Sequence, residues 1–293
     1  MSCDRPRLRS LLFVPGTRTD LLPKAVASGA DAVILDLEDA VTAAGRPSAL
    51  AQVAHAVEQR TAHDHPALFV RVKPLKGWAA VEDLRAVVGP GLAGLMLPKI
   101  ASPDDVRFAD QMLTWCEREQ GLREGHLALV PLLESASALH AAYACAAASP
   151  RVAYTGAVAG AGGDVERALG YRWSTEGTET QALRSRVLLD VRAAGAPHPV
   201  AGLWTRIGDL DGLRAFATGS RALGYTGMLA IHPSHVPVIN EAFSATADEF
   251  ARARRLLDAF DQARRDGVGA LDFEGDMVDE AMVTTARQLL ERG

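Results

Sequence analysis

The sequence has 293 residues, of which 48% are hydrophobic, 23% charged and 5% aromatic. These proportions are ordinary for a globular protein, and they exclude a wholly disordered chain, a collagen-like fibre and a small disulfide scaffold. The formal net charge is −5 and no block of Lys and Arg residues stands out, which argues against a nucleic-acid partner.

The three cysteines, Cys3, Cys116 and Cys145, form no CxxC pair, a pattern typical of a reducing compartment. The first ten residues are polar and basic, and the apolar run that follows them is too short for a secretion signal. No stretch approaches the ~20 apolar residues that a membrane span requires. We therefore expect a cytoplasmic protein with no membrane partner.

Short apolar runs alternate with longer amphipathic runs along most of the chain. The apolar runs predict strands at residues 11–14, 32–37, 67–72, 94–97, 127–133, 152–155, 200–205 and 228–231. Between and after them, helices are predicted at about residues 20–28, 47–59, 79–88, 104–119, 136–148, 179–193, 211–222 and 236–243. Two further helices are predicted at residues 247–264 and 279–291.

This alternation predicts parallel strands joined by right-handed crossovers. Eight such pairs in a row favour a closed (β/α)8 barrel, the TIM barrel. An open doubly wound sheet is the alternative, but that fold usually carries a glycine-rich phosphate-binding turn after its first strand, where this chain has Val14-Pro15-Gly16-Thr17. We therefore expect a TIM barrel over residues 1–243 and a C-terminal helical extension over residues 244–293.

Ionisable residues follow six of the eight predicted strands at the same relative place. They are Asp36, Glu38 and Asp39 after strand two, Arg71 after strand three, Lys99 after strand four, Glu134 after strand five, Asp164 beyond strand six and His232 after strand eight. Catalytic groups of (β/α)8 barrels lie at the carboxyl ends of the strands, and charged residues are seldom buried unless they are paired. The coincidence predicts one shared polar site, although helix capping could explain each residue taken alone.

Glu134 and Asp164 are the candidate metal ligands. Carboxylates from adjacent strands can share one hard cation, and Mg²⁺ is typically held by one or two carboxylates together with water and substrate oxygens. The histidines are scattered and the cysteines isolated, which argues against zinc. Without a metal, Glu134 would cap the helix that begins near Ser135, and Asp164 would begin the next helix.

Two further features suit an anionic ligand. The glycine-rich stretch at 156–163 could bring the backbone N–H groups of Gly162 and Gly163 close to a carboxylate, although a flexible loop is the simpler interpretation. Arg71 would project into the mouth of the barrel, where a guanidinium can bind a carboxylate with two hydrogen bonds. Its alternative is a salt bridge to Glu38 or Asp36, and both roles can coexist.

The sequence resembles the citrate lyase beta-subunit-like proteins of the HpcH/HpaI aldolase superfamily. Six segments in chain order carry the resemblance: RSLLFVPG at 9–16, ILDLEDAV at 34–41, FVRV at 69–72, MLPKI at 96–100, PLLES at 131–135 and AIHPS at 230–234. Each segment alone is weak, but six in order with matching spacing are specific. The resemblance spans nearly the whole chain and implies a (β/α)8 barrel with a Mg²⁺ site that binds a 2-oxo or 2-hydroxy acid.

The resemblance also implies a role for each matching residue near the metal. Glu134 and Asp164 would hold the metal, and Arg71 would bind the carboxylate of the substrate. Glu38 and Asp39 would lie just outside the metal's ligands and order its waters or Arg71.

More distant roles follow from the same resemblance. In relatives that use coenzyme A, the opening Arg-Ser segment and the Pro-Lys segment lie near the thioester arm, which makes Arg9 and Lys99 candidate contacts. Relatives carry an acid in a C-terminal segment that covers the mouth of a neighbouring subunit. Here Asp279 of Met277-Val278-Asp279 would be that general acid/base, and the protein would be a homo-oligomer, a trimer or hexamer. The alternative for Asp279 is a helix cap.

The chain departs from its relatives at four positions. Gly163 and Ala168 stand where many relatives carry Glu and Asp, Lys73 stands in place of an Asn, and His235 in place of a Gln. The departures remove anionic groups near the mouth and add a cation, which predicts a substrate different from that of the best-known members.

Together, these features predict a Mg²⁺-dependent carbon–carbon lyase. Its partners would be an oxo acid and an acyl-CoA, with a 3-hydroxy-3-carboxyacyl thioester such as a malyl- or citramalyl-type CoA as the substrate. Two alternatives stay open: an aldolase of pyruvate that needs no coenzyme A, and a non-catalytic subunit that binds an oxo acid.

Overall fold

The computed structural model describes residues 5–157, 159–174 and 177–291. Its centre is a closed barrel of eight parallel strands in sequence order, with β8 returning to pair with β1. The strands are β1 Ser10–Pro15, β2 Ala32–Asp36, β3 Ala67–Arg71, β4 Gly94–Leu97, β5 Ala128–Leu133, β6 Tyr154–Ala157, β7 His198–Ala201 and β8 Gly227–Ala230. The predicted (β/α)8 barrel is therefore confirmed.

Helices follow the strands around the barrel. They are α1 Leu22–Ala27, α2 Arg46–Glu58, α3 Trp78–Val87, α4 Pro103–Glu119, α5 Ala136–His140, α6 Ala142–Ala146, α7 Asp164–Leu169, α8 Gln181–Ala193, α9 Leu210–Leu223 and α10 His235–Phe243. Short 3₁₀ turns at Gly16–Leu21 and Thr178–Thr180 precede α1 and α8. None of the described helices is both long enough and apolar enough to cross a bilayer.

Some boundaries differ from the sequence prediction. The single helix predicted at 136–148 is two short helices, because the backbone of Ala141 (φ −97°, ψ 23°) leaves the helical region between them. The sixth strand begins and ends two residues later than predicted. The helix α7 is absent from the predicted helices, although the alternative role of Asp164 places a helix start there. The seventh strand begins two residues earlier and ends at Ala201, so the segment predicted as its carboxyl half is a loop instead.

The two-residue side-chain alternation of the strands places the charged site. Ile34 and Phe69 belong to the buried apolar cluster that fills the barrel, whereas their neighbours Val33 and Val70 pack outward with the helices. Because inward positions recur every second residue, the next inward residue after Ile34 is Asp36, and Arg71 follows Phe69 in the same way. The barrel core therefore ends, at the carboxyl side, in a layer of charged side chains.

The chain divides into two compact units, residues 1–243 and 244–293. The second contains α11 (Ala247–Arg265), a two-stranded antiparallel hairpin of β9 (Leu271–Phe273) and β10 (Asp276–Val278), and α12 (Glu280–Glu291). Its own apolar core consists of residues such as Leu256, Phe260, Val278 and Val283. The hairpin was not predicted, although its turn carries the signal Glu274-Gly275, both with positive φ.

Candidate active site

A cavity of about 390 Å³ opens at the carboxyl ends of the barrel strands. Residues from the ends of β1, β2, β3 and β5, and from the loops after β6, β7 and β8, form its wall. The charged residues in this wall are Asp36, Asp39, Arg71, Glu134 and Asp164. The structure thus brings together most of the polar residues that the sequence places after separate strands.

Arg71 lies at the centre of the charges. Its Nε and Nη2 atoms each donate to an oxygen of Asp36 at 2.7 Å, and its Nη1 lies 2.9 Å from Glu38 Oε2 and 3.2 Å from Asp39 Oδ2. Its guanidinium also stacks over the Phe13 ring. Burial alone would lower the pKa of Arg71, but the hydrogen bonds and charge of Asp36, with Glu38 and Asp39, raise it above the ordinary value. Arg71 therefore stays charged.

Asp36 holds this arrangement, a role beyond its predicted place among the charged residues of the rim and its predicted salt bridge to Arg71. Besides binding Arg71, its carboxylate accepts hydrogen bonds from the backbone N–H groups of Glu38 (2.9 Å) and Ala40 (3.3 Å). Asp36 therefore fixes both Arg71 and the loop after β2. The signal that could have found it is its position two residues beyond Ile34, opposite Arg71 in the strand register.

Glu38 and Asp39 also contact Lys99. The Lys99 Nζ lies 2.6 Å from Glu38 Oε1 and 3.1 Å from Asp39 Oδ1. Burial raises the pKa of Glu38 despite the opposing effects of Lys99 and Arg71. Burial also acts to raise the pKa of Asp39, but the charges of Arg71 and Lys99 outweigh burial and lower this pKa below its ordinary value. The two acids predicted to lie near the metal are thus paired with two cations.

Glu134 is a half-buried acid of the site. Its Oε2 accepts a hydrogen bond from the backbone N–H of Lys99 at 3.0 Å. Burial raises its pKa to about 7, although this hydrogen bond and Arg71 act in the opposite direction. Ser135, not Glu134, caps α5, because the Ser135 hydroxyl accepts from the Ala138 N–H. The capping alternative for Glu134 is therefore wrong.

Asp164 and the glycine-rich loop form another part of the cavity wall. Asp164 is the first residue of α7 and forms an ion pair with Arg167 one turn later. Gly162 and Gly163 line the cavity, as expected, but the N–H of Gly162 donates to the carboxylate of Glu166. The expectation that this N–H binds a ligand carboxylate is corrected, because Glu166 already uses it to fix the loop.

The charged groups suit a divalent cation. Five carboxyl groups (Asp36, Glu38, Asp39, Glu134 and Asp164) meet three cationic side chains (Arg71, Lys99 and Arg167), a formal excess of two negative charges when every group is ionised. Within the described residues no three His, Cys, Asp or Glu side chains converge as a ready-made metal site. Two carboxylates beside an open cavity fit Mg²⁺, which keeps water and substrate oxygens among its ligands, better than zinc.

Two predicted residues lie elsewhere. Arg9 precedes β1, at the amino ends of the strands, where its guanidinium forms two hydrogen bonds of 2.7 and 2.9 Å with Asp31. Its expected contact with a thioester arm at the mouth is therefore wrong, because the direction of β1 places it at the opposite end of the barrel. Asp279 belongs to the second unit, where its carboxylate accepts from the N–H groups of Ala281 and Met282 at the start of α12.

Comparisons with known proteins show the family to which the chain belongs. The HpcH/HpaI aldolase/citrate lyase family matches residues 9–233. A citrate lyase subunit beta-like protein from Deinococcus radiodurans is 40% identical over 289 residues, which cover 97% of this chain and 96% of that protein. A (3S)-malyl-CoA thioesterase from Cereibacter sphaeroides is 31% identical, with coverages of 97% and 94%.

A solved structure shows the same fold. The protein CitE from Mycobacterium tuberculosis, in complex with magnesium, acetoacetate and coenzyme A, superposes with a TM-score of 0.76 at 30% identity, covering 98% of each chain. The chain therefore belongs to the HpcH/HpaI aldolase/citrate lyase family and is a lyase-type enzyme.

Proposed function

We propose that the enzyme cleaves, or in reverse forms, a carbon–carbon bond in a 3-hydroxy-3-carboxyacyl thioester of the malyl- or citramalyl-CoA type. The products of cleavage are an oxo acid and an acyl thioester. The observation that carries this proposal is that the carboxylates of Glu134 and Asp164 line the same cavity as the guanidinium of Arg71. Such a substrate requires a metal to bind the oxygens of the acid and a cationic side chain to bind its carboxylate.

Glu134 and Asp164 are the residues that would hold Mg²⁺. When bound, the ion polarises the oxygens of the oxo or hydroxy acid and stabilises the negative charge that develops during cleavage. The excess of two negative charges around the cavity supports this assignment, as does the CitE structure with magnesium, acetoacetate and coenzyme A.

Arg71 would meet the carboxylate of the substrate along its Nη1 side. Its Nε and one hydrogen of Nη2 are committed to Asp36, so a second bidentate carboxylate cannot use that edge. On the Nη1 side, the partner Asp39 is 59% exposed and is displaced more readily than the buried Glu38. Asp36 and Glu38 keep the guanidinium oriented while the substrate exchanges with Asp39.

Cleavage also requires two proton movements. As the carbon–carbon bond breaks, the hydroxyl group gives its proton to a base and the carbon that carries it becomes a carbonyl carbon. The electron pair of the broken bond stays with the thioester fragment, which leaves as an enolate. The carbon of that enolate must then take a proton, and we propose Asp279 of a second copy of the chain as the acid. A positioned acid of this kind contributes about 10²–10⁴-fold. This role requires a homo-oligomer, for which we propose a trimer or hexamer.

A panel of acyl-CoA thioesters with Mg²⁺ tests this function. We expect release of an oxo acid that stops when the metal is removed by a chelator. Oxo acid without free thiol indicates a simple lyase, whereas both products together indicate that thioester hydrolysis accompanies cleavage or condensation. Turnover of pyruvate and an aldehyde without any thioester, or binding of an oxo acid with no turnover at all, would contradict the proposal.

A further inference from the structure

Lys99 has a backbone conformation that is rare for its residue type. Its φ is +50°, in the left-handed region, and Glu274 is the other non-glycine residue with positive φ within the described ranges. Left-handed backbone is costly for residues with a Cβ atom and, where it persists, often lies at functional sites. In this conformation the Lys99 N–H reaches across from β4 to the Glu134 carboxylate, 3.0 Å away.

The side chain of Lys99 makes a second connection. Its ammonium contacts Glu38 Oε1 at 2.6 Å, and the other oxygen of Glu38 lies 2.9 Å from Arg71. Glu38 is thus held between two cations. One residue therefore connects the candidate metal carboxylate, through its backbone, with the acidic loop that contacts Arg71, through its side chain.

The location of Lys99 does not favour direct contact with the reacting part of a substrate. Lys99 lines a narrow groove with Lys73 and Lys76, whereas Glu134, Asp164 and Arg71 line the main cavity. Its ammonium is already shared between two carboxylates.

We propose that Lys99 is a positioning residue of the active site, in place of the thioester contact expected from the sequence. Its left-handed backbone aims an N–H group at Glu134, and its ammonium holds Glu38 and Asp39 beside Arg71. This inference rests on the proposed function, because it assumes that Glu134 holds the metal.

A matched pair of variants separates the two contributions. Lys99→Gly and Lys99→Val both remove the ammonium, but Gly adopts positive φ freely whereas β-branched Val strongly resists it. We expect Lys99→Gly to bind Mg²⁺ within about threefold of the wild type, and Lys99→Val about tenfold or more weakly, since residues that orient a metal ligand are worth 10–100-fold in affinity. Calorimetric titration with Mg²⁺ alone measures this without turnover.

Measurements of turnover then test the contribution of the Lys99 ammonium. Both variants should lose kcat with little change in KM for the thioester, and Lys99→Arg should restore most of it. Circular dichroism and thermal unfolding establish that each variant is folded. If Lys99→Val does not fold, Lys99→Ala replaces it, because one methyl group still disfavours left-handed backbone.

Three results would overturn the inference. Equal Mg²⁺ affinities of Lys99→Gly and the β-branched or alanine variant would show that the backbone conformation does not orient Glu134. A raised KM with unchanged kcat in Lys99→Gly would indicate a substrate contact instead. A wild-type protein that binds no Mg²⁺ would overturn the proposed function, and this inference with it.

Discussion

Each end of the barrel contains an Arg–Asp ion pair of the same geometry, but the two pairs have different surroundings. At the amino ends, Arg9 pairs with Asp31, and at the carboxyl ends Arg71 pairs with Asp36; each arginine binds both oxygens of its partner. The first pair is balanced and joins the residues that immediately precede β1 and β2, so it fastens the starts of these two strands together. The second is surrounded by additional carboxylates and borders a cavity. An excess of charge beside a cavity, not the ion pair itself, distinguishes a site from a structural contact.

A third arginine supports this distinction. Arg151 is 4% exposed and bonds to Glu117 and Asp110, both on α4, away from any strand end that lines the cavity. The buried guanidinium donates to both carboxylates, and Glu117 also accepts hydrogen bonds from two backbone N–H groups. Such a network fixes packing between a helix and the barrel, and it offers no open face to a ligand.

The largest effect should come from Glu134. Glu134→Gln preserves the shape of the side chain but removes the negative charge that would hold the metal, and we expect kcat/KM to fall about 10³-fold, since metal stabilisation is worth several kcal/mol. The protein should remain folded, as judged by thermal unfolding. Glu124→Gln is the matched control, because Glu124 is an exposed acid paired with Arg118. Activity within tenfold of the wild type would remove Glu134 from the metal site.

The next largest effect should come from Arg71. Arg71→Met leaves Asp36 and Glu38 buried without their central cation, so we expect a loss of about 3–5 kcal/mol in the free energy of unfolding. We also expect a loss of about 10²-fold in kcat/KM, because the substrate carboxylate is no longer positioned. Chemical denaturation and initial rates measure the two quantities. Full activity in a folded Arg71→Met protein would show that the site does not use this guanidinium.

The pH dependence of metal binding gives a smaller effect. Burial raises the pKa of Glu134 to about 7, so in the metal-free protein its carboxyl is protonated below that pH and must ionise to hold a cation. We expect the Kd for Mg²⁺ to rise roughly tenfold per pH unit below 7 and to level off above 8, as metal binding displaces a proton. Calorimetry between pH 6 and 8 measures this, and Glu134→Gln should abolish the dependence. A Kd that is constant over this range would contradict it.

Ionisation of Glu134 should also weaken the metal-free fold. Its pKa in the folded protein lies above the ordinary value of 4.5, so the folded state binds the proton more tightly than the unfolded chain does. The stability that the neutral carboxyl contributes is present below about pH 4.5 and is lost as the pH rises toward 7. Added Mg²⁺ should offset this loss at neutral pH, which thermal unfolding with and without the metal can check.

The smallest effect should come from Arg9. Arg9→Met breaks a partly exposed pair, so we expect about 1 kcal/mol less stability and no change in kcat or KM. Since Arg9 lies at the amino end of the barrel, a clear rise in KM for the thioester would mean that the substrate arm reaches the end of the barrel opposite the charged cavity.

The sequence alone predicts the barrel, because the alternation of strands and helices can be recognised locally, and it places a candidate site at the carboxyl ends of the strands. Residues such as Arg71 and Glu134 follow apolar runs, and parallel strands bring their carboxyl ends to one rim. The same direction would have placed Arg9 at the other rim, since it precedes its strand; its assignment came instead from the resemblance.

The partners of these residues could not be predicted in the same way. Which acid pairs with Arg71 depends on the register between β2 and β3, and the use of the Gly162 N–H by Glu166 depends on a loop conformation. The left-handed backbone of Lys99 could not be predicted either, because no glycine marks the position in the sequence. These features arise from tertiary packing, which a single sequence does not display.

The most direct test of the account is a crystal of the protein soaked with Mn²⁺ in place of Mg²⁺ and examined by anomalous scattering. The account predicts one strong peak in the cavity at the carboxyl ends of the strands, within bonding distance of a carboxylate oxygen from Glu134 and from Asp164. A peak bound by other residues, or no peak in that cavity at saturating metal, would contradict it.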